Sequence, residues 1–381
     1  MFALIPLING VDFPAHVIKE GAATIRVGKE VFYNQKMAKL RDVSVIFLKA
    51  LGLKKARLLD ATTATGVRGI RYALEVGVGE VIMLDINPAA YRNARSNARL
   101  SKAKVRVIGK SLQEFAGSQP GAFDVIDLDP FGSPAPLIYD ALRLSGDGTV
   151  LMVTATDTAT LCGAEGHACL RIYGARPVHN ELCHEGGIRI LLSFIAREAA
   201  QFNFGIEPLL SISDMHYMRV FLRLRRGAND AVASVNCSGP MAYCSRCHNF
   251  TYRKGVMARV STECAYCGNE MRVFGPMWLG NLKNGAITKK MAIASEAYGS
   301  ETCRFVSALA EELDLPFFYS IPKITSYLKS GSVPIGAVIE RLGEKAQVSR
   351  THFDKCSLKT TASVSQIIEV VKSLGRKEKK K

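Results

Sequence analysis

The sequence contains no apolar run long enough to cross a membrane. Its opening residues, MFALIPLINGVDFPAHVIKEG, carry no basic leader and no small-residue cleavage site, so no secretory signal is expected. The cytoplasm is the expected compartment, with no membrane association and no obligate protein partner, so a monomer is expected. No internal repeat runs along the chain. The glycine fingerprint G-x-G-x-x-G is missing, which argues against a nicotinamide-dependent dehydrogenase. Acidic residues are in deficit, 34 against 50 basic ones, giving a formal charge of +16 that favours a polyanionic partner such as nucleic acid. Part of the excess lies in the terminal GRKEKKK, Gly375 to Lys381, expected to be a disordered, solvated tail. In a reducing compartment the ten cysteines are not expected to build a disulfide framework.

What is present is an alternation of short apolar runs with helical patterns, in a chain whose 381 residues suggest two or three domains. ARLLDA, EVIMLDIN, KVRVIGK, FDVIDLD and GTVLMVTATD read as five strands, with GVRGIRYALEVG and PAAYRNARSNARL as intervening helices. Such alternation predicts a parallel sheet covered by helices on both faces. Thr158 to Gly187 reads as a substrate-facing loop, and GIRILLSFIAREAAQFN as a strong helix. IEPLLSIS and YMRVFLRLRR, flanking DMH, read as a closing antiparallel hairpin. Five parallel strands followed by a hairpin is the pattern of a class I, Rossmann-like methyltransferase domain. GANDAVASVNCSGP reads as a linker. The expected division is therefore residues 1–235, and residues 236–381 as a C-terminal α+β domain with a zinc ribbon, RNA contacts and the short basic tail.

Ligands of open parallel sheets bind at the carboxyl ends of the strands, where Asp60, Asp85 and Asp129 fall. Asp85, ending the second strand, suits bonding to ribose hydroxyls, which both NAD and S-adenosylmethionine offer; the plainer reading is a helix cap before Pro88. In DLDPFG, Asp129 can hold the N–H bonds of a base amino group, a poor nucleophile whose lone pair is delocalised into the ring. Pro130 stiffens the next step, Phe131 can stack on a flipped base, and Gly132 allows close backbone approach. A carboxylate also matches the N1–H and N2–H edge of guanine. The plainer reading is a turn with Asp129 as its cap. Asp127, two residues earlier on the same strand face, reads as a supporting residue.

YCSRCHNFTYRKGVMARVSTECAYCGNE places Cys244, Cys247, Cys264 and Cys267 in two C-x-x-C pairs sixteen residues apart. That spacing predicts a closed, structural zinc site. Arg246, Arg253, Lys254 and Arg259, interleaved with Tyr243, Phe250 and Tyr252, suit RNA contact, or equally a ribbon packed on the main domain. The other six cysteines read as ordinary buried thiols.

Together these residues resemble the archaeal-type tRNA guanine-26 N2-dimethyltransferase family. The resemblance rests on VFYN, LRDVSV, DATTATGVRGIR, DLDPFGSPAP, TATDTATLCG, YGARPVHNELCHEGGIRILL, GPMWLGNL and SRTHFDKCSLKT, and spans nearly the whole chain. It implies S-adenosylmethionine as donor, tRNA as partner, and one or two methyl transfers to N2 of guanine 26. It implies Asp129 as the catalytic carboxylate and Phe32 and Phe131 as aromatic partners of the flipped base. Arg41, Arg68 and Asp85 are implied as cofactor contacts, the two arginines near the methionine carboxylate, with Arg71 as a substitute for Arg68. Two positions depart from the family pattern. Gln35 stands where a proline is usual, and Ser111–Leu112 stand where an Asp–Ala pair meets the adenine. The Ser111 hydroxyl can accept from the adenine amino group and the Leu112 N–H can reach ring N1. Two alternatives remain: another RNA or DNA amino-methyltransferase on the same scaffold, or a non-catalytic RNA-binding protein.

Overall fold

The computed structural model describes residues 17–118, 121–215 and 217–378. Its centre is a seven-stranded sheet in the order Arg106–Ile108, Glu80–Leu84, Arg57–Asp60, Phe123–Leu128, Ser145–Ala155, Tyr217–Arg226, Phe204–Asp214. The first five are parallel and the last two form the antiparallel hairpin. Five parallel strands and a hairpin thus follow the expectation from sequence.

The strands read as almost continuous apolar runs because both sheet faces are covered. Side chains alternate between the faces. Leu59, Ile82, Ile126, Leu128, Leu151 and Val153 join one core cluster, with residues of the helices Ala135–Arg143 and Cys183–Ala200. Leu58, Val81, Met83, Val125, Val150 and Met152 join the other, with residues of the helix Ala38–Leu51. The chain winds outward from Arg57–Asp60 to Arg106–Ile108, then returns to place Phe123–Leu128 on the opposite side of Arg57–Asp60. That reversal opens a crevice at the carboxyl ends of the two central strands. Register sets Asp60 level with Asp127 across it.

Several expectations need correction. Thr158 to Gly187 is not a plain loop: it holds the helices Thr158–Leu161 and Gly166–Tyr173 and the start of Cys183–Ala200. GANDAVASVN is a helix, Ala228–Asn236, whose Ala231 and Ser234 are buried. Ser234 Oγ accepts from Ile206 N–H at 2.8 Å and so ties the helix to the hairpin, a contact that the flanking glycines obscured in sequence. The C-terminal helix Val364–Glu378 runs through most of the basic tail, whose last three residues lie outside the described ones. The run after Gly66 starts as the helix Val67–Arg71 and widens into a π-turn, Tyr72–Val76. The DMH turn includes residue 216, also outside the described residues.

Beyond the hairpin lie a three-stranded sheet centred on Ser238–Tyr243, the helices Gly285–Ser295 and Ser300–Glu311, and a second small sheet flanked by helices. These pack into the main body. Buried Arg189 donates to the carbonyls of Trp278 (2.7 Å) and Gly280 (3.1 Å), and Met291, Val306 and Leu309 share a core with the helix Ala38–Leu51. No helix among the described residues is long and apolar enough to cross a membrane.

Candidate active site

Three carboxylates converge where the central strands end. Asp127 is fully buried, with Oδ1 accepting from Arg219 Nη2 at 2.7 Å and Oδ2 from the Tyr72 hydroxyl at 2.6 Å. Asp60 accepts from the Thr63 hydroxyl at 2.8 Å and the Gly69 N–H at 3.1 Å. Burial, with the Asp127 carboxylate beside it, pushes the Asp60 carboxyl up to about 7. Asp129, one step beyond the strand, is partly exposed and accepts from Arg68 Nη2. Its own N–H donates to Thr62 Oγ1 at 2.9 Å. Burial would raise the Asp129 carboxyl, but the Arg68 and Arg219 guanidiniums hold it below the usual carboxylate value. Asp127, read from sequence as a supporting residue, lies buried next to this site, bonded to Arg219 and Tyr72. Arg219, Tyr72 and Thr154, whose hydroxyl accepts from Arg219, were missed, although a lone arginine inside YMRVFL is the kind of buried charge that demands a partner.

After Asp129 the chain turns at Gly132, whose φ of +75° lies in the left-handed region that glycine adopts freely. Gly132 N–H donates to Thr156 Oγ1 at 2.7 Å, and Thr156 N–H returns a bond to the Gly132 carbonyl at 3.0 Å. Ser133 and Tyr173 hydroxyls lie 2.7 Å apart, and Tyr173 donates to Asp157 Oδ2 at 2.8 Å. This pinned turn presents Phe131 at 65% exposure. Phe32, 48% exposed, meets it edge-to-face with ring centroids 4.6 Å apart. Large apolar rings this exposed form an aromatic patch next to a carboxylate. The rings touch, so a base between them must part them.

Asp85 does not cap the following helix; Asn87 does, accepting from Ala89 N–H. Asp85 instead accepts from Asn87 N–H at 2.8 Å and Ala64 N–H at 2.9 Å. Both oxygens are thereby oriented while each keeps a second lone pair. Arg68 is nearly fully buried, and its Nη1 has no hydrogen-bond partner among the described residues. A buried guanidinium donor left open in a crevice suits a carboxylate ligand. Arg41 is engaged elsewhere: it donates to Glu20 from Nε (2.6 Å) and Nη2 (2.5 Å), and to the Asn34 carbonyl (3.1 Å). Tyr33 also donates to Glu20, at 2.9 Å. Arg41 and Glu20 thus brace the segment carrying Phe32. Arg71 is fully buried against Glu20, Asp42 and Glu75 and has no spare role at the crevice. Ser111 caps the helix Leu112–Ser118, exchanging bonds with Glu114, and Leu112 is buried. The Ser111 hydroxyl therefore already holds a donor and an acceptor.

The model of the N2,N2-dimethylguanosine tRNA methyltransferase family matches residues 14–372. The chain belongs to this family. It is 36% identical over 376 residues to the tRNA (guanine(26)-N(2))-dimethyltransferase of Methanothermobacter thermautotrophicus, covering 94% of this chain and 98% of that one. It is 36% identical over 384 residues to the Thermococcus kodakarensis protein of the same name, covering 94% and 99%. Its fold matches the solved structure of Trm1 from Pyrococcus horikoshii in complex with S-adenosyl-L-methionine, with a TM-score of 0.87 at 34% identity, covering 93% of this chain and 99% of that one.

This member of the dimethyltransferase family also brings its four spaced cysteines together. All four Sγ atoms lie within 4.8 Å of one another, with Cys244–Cys267 and Cys247–Cys264 each at 3.5 Å. Each pair sits on a tight knuckle. Cys244 N–H donates to Asn249 O and Cys264 N–H to Asn269 O, and His248 and Gly268 close the turns at positive φ. Tetrahedral zinc–thiolate bonds of about 2.3 Å place sulfurs roughly 3.8 Å apart, so the cluster can hold zinc. Around it, Arg246, Arg253, Lys254 and Arg259 are exposed. Of the aromatics, only Tyr252 faces outward: Phe250 stacks on Tyr319, and Tyr243 is buried with its hydroxyl on Glu181.

Proposed function

We propose that this protein transfers one or two methyl groups from S-adenosylmethionine to the exocyclic N2 of guanine 26 in tRNA. The observation that carries the reading is Asp129. An ionised carboxylate stands beside two exposed aromatic rings at the topological switch point of a sheet whose chain belongs to the dimethyltransferase family. The site's residues fit the cofactor. Arg68 Nη1 offers an open buried donor for its methionine carboxylate, and Asp85 offers oriented lone pairs for its ribose. Arg41, Ser111 and Leu112 act in this reading as positioning residues, Arg41 through the Asn34 segment and the other two through their helix start. When bound, the cofactor supplies a sulfonium methyl whose carbon–sulfur bond breaks as the nitrogen–carbon bond forms.

The residues of this chain do the rest. Phe131 and Phe32 hold the extruded base by its faces. Asp129 accepts from the N1–H and N2–H edge, turns N2 toward the methyl and draws electron density onto it. Because Arg68 and Arg219 keep Asp129 acidic, it orients and polarises the amino group, and the proton lost from N2 passes on to water rather than staying on the carboxylate. Residues 1–235 carry this chemistry. Residues 236–381 carry a structural zinc on Cys244, Cys247, Cys264 and Cys267 and present Arg246, Arg253, Lys254 and Arg259 to the tRNA backbone. All of these groups come from one chain, so a monomer suffices, and a tRNA substrate agrees with the cytoplasm expected from the sequence.

The test is methyl transfer to an unmodified tRNA transcript, beside one with adenine at position 26, followed by nucleoside mass analysis. N2-methylated guanosine is expected in the first only. Methylation of both transcripts moves the target, and methylated adenosine in the second favours a broader amino-methyltransferase.

A further inference from the structure

Cys162 and Cys183, which lie apart from the ribbon and read from sequence as ordinary buried thiols, stand beside His184. They are not a buried cluster: all three are half-buried, and their ligand atoms lie within 4.8 Å of one another. Cys162 Sγ is 3.7 Å from His184 Nδ1. We propose that these three side chains form a second metal site, for a thiophilic divalent cation of the zinc type.

Local structure fixes the donors before any ion arrives. Cys162 closes the helix Thr158–Leu161, its N–H bonded to the Thr158 carbonyl at 2.8 Å. Gly163 then turns at a φ of +89°, with so little room that an added Cβ would stand 2.9 Å from His179. Cys183 opens the long helix Cys183–Ala200, its N–H bonded to the Asn180 carbonyl at 3.0 Å, and His184 follows it. Two backbone segments twenty residues apart thus deliver two sulfurs and one imidazole nitrogen to one point.

The donor set has the chemistry of zinc rather than magnesium or calcium, which take oxygen ligands. Two thiolates neutralise a divalent ion, and a neutral imidazole adds a third bond without charge, which suits a half-buried place. Binding releases the two thiol protons to solvent. Three protein ligands leave a fourth position on the ion open, and Ser213 Oγ lies 3.5 Å from His184 Nδ1. The ion would tie the segment after Ala155 to the long helix. That segment carries Thr156, Asp157 and Tyr173, the residues that pin Gly132 and Ser133 behind Phe131. The second site is therefore a brace for the aromatic side of the crevice.

Metal content of the full-length protein tests this. Protein loaded with zinc and freed of excess should hold two ions per chain. Cys162→Ser with Cys183→Ser, and separately His184→Gln, should each bring the count to one while leaving the four-cysteine cluster loaded. Cobalt(II) in place of zinc counts thiolates: the double variant should lose about a third of the thiolate-to-cobalt absorbance. A wild-type content of one ion or fewer, or a content of two that neither variant lowers, overturns the proposal. Should the double variant fail to fold, the wild-type count and His184→Gln still decide it.

Discussion

Arg219 Nη2 lies 2.7 Å from Asp127 Oδ1, and neither side chain has accessible surface. Arg219 sits on the hairpin strand Tyr217–Arg226, paired with Thr154 of the neighbouring strand, and reaches across it to Asp127 on the strand Phe123–Leu128 that leads into Asp129. One arginine thereby locks three strands beneath the candidate carboxylate and adds positive potential to it. A buried ion pair adds little net stability over an apolar pair, but removing one partner strands the other charge.

Arg219→Met should therefore cost about 3–5 kcal/mol, read from urea unfolding. Arg219→Met with Asp127→Leu should recover a large part of that loss. A single variant within about 1 kcal/mol of wild type would contradict a tightly coupled pair.

Asp60 predicts a pH dependence. Its folded carboxyl is pushed up to about 7, against an ordinary aspartate value of about 3.8. Between those values the folded state binds the extra proton, so the contribution of the neutral form is full below the lower value and is lost as pH rises through the upper. Asp60→Asn keeps an oxygen for Thr63 and Gly69 but cannot ionise. The stability of the variant relative to wild type should climb from about pH 4 to about pH 7 and level off above, measured by denaturant midpoints across that range. A difference independent of pH would mean that Asp60 titrates normally.

Phe131 is exposed, so Phe131→Ala should leave thermal stability unchanged while lowering kcat/KM on tRNA by about 5- to 150-fold, from a stacking loss of roughly 1–3 kcal/mol. Unchanged kcat/KM would remove Phe131 from base recognition.

Cys247→Ser with Cys264→Ser should lower zinc content by one ion per chain and unfold the ribbon, seen as new protease sites between Tyr243 and Phe274. Unchanged zinc content would place the ion elsewhere.

The sheet was legible in sequence because its parallel strands are apolar runs separated by helical patterns, with Asp60, Asp85 and Asp129 at or just past the ends of three of them. The DPFG turn and the two C-x-x-C pairs were legible because their chemistry is local. Arg219 reaches Asp127 across 92 residues of chain and Glu20 reaches Arg71 across 51, so only the fold could pair them. Arg41 and Ser111 show the opposite limit. Their residue types suit a ligand, but Glu20 and the helix start before Glu114 take them up. The helix Ala228–Asn236 was read as a linker because glycines flank it, whereas tertiary packing on the hairpin stabilises it.

The most direct measurement is single-turnover methyl transfer to a guanine-26 transcript by wild type and Asp129→Asn, with transcript binding measured in parallel. The asparagine keeps the side chain's shape but removes the charge that polarises N2. The account predicts a rate at least about 100-fold lower for the variant, with binding changed only a few-fold. A variant rate close to wild type would contradict Asp129 as the group on which the reaction depends.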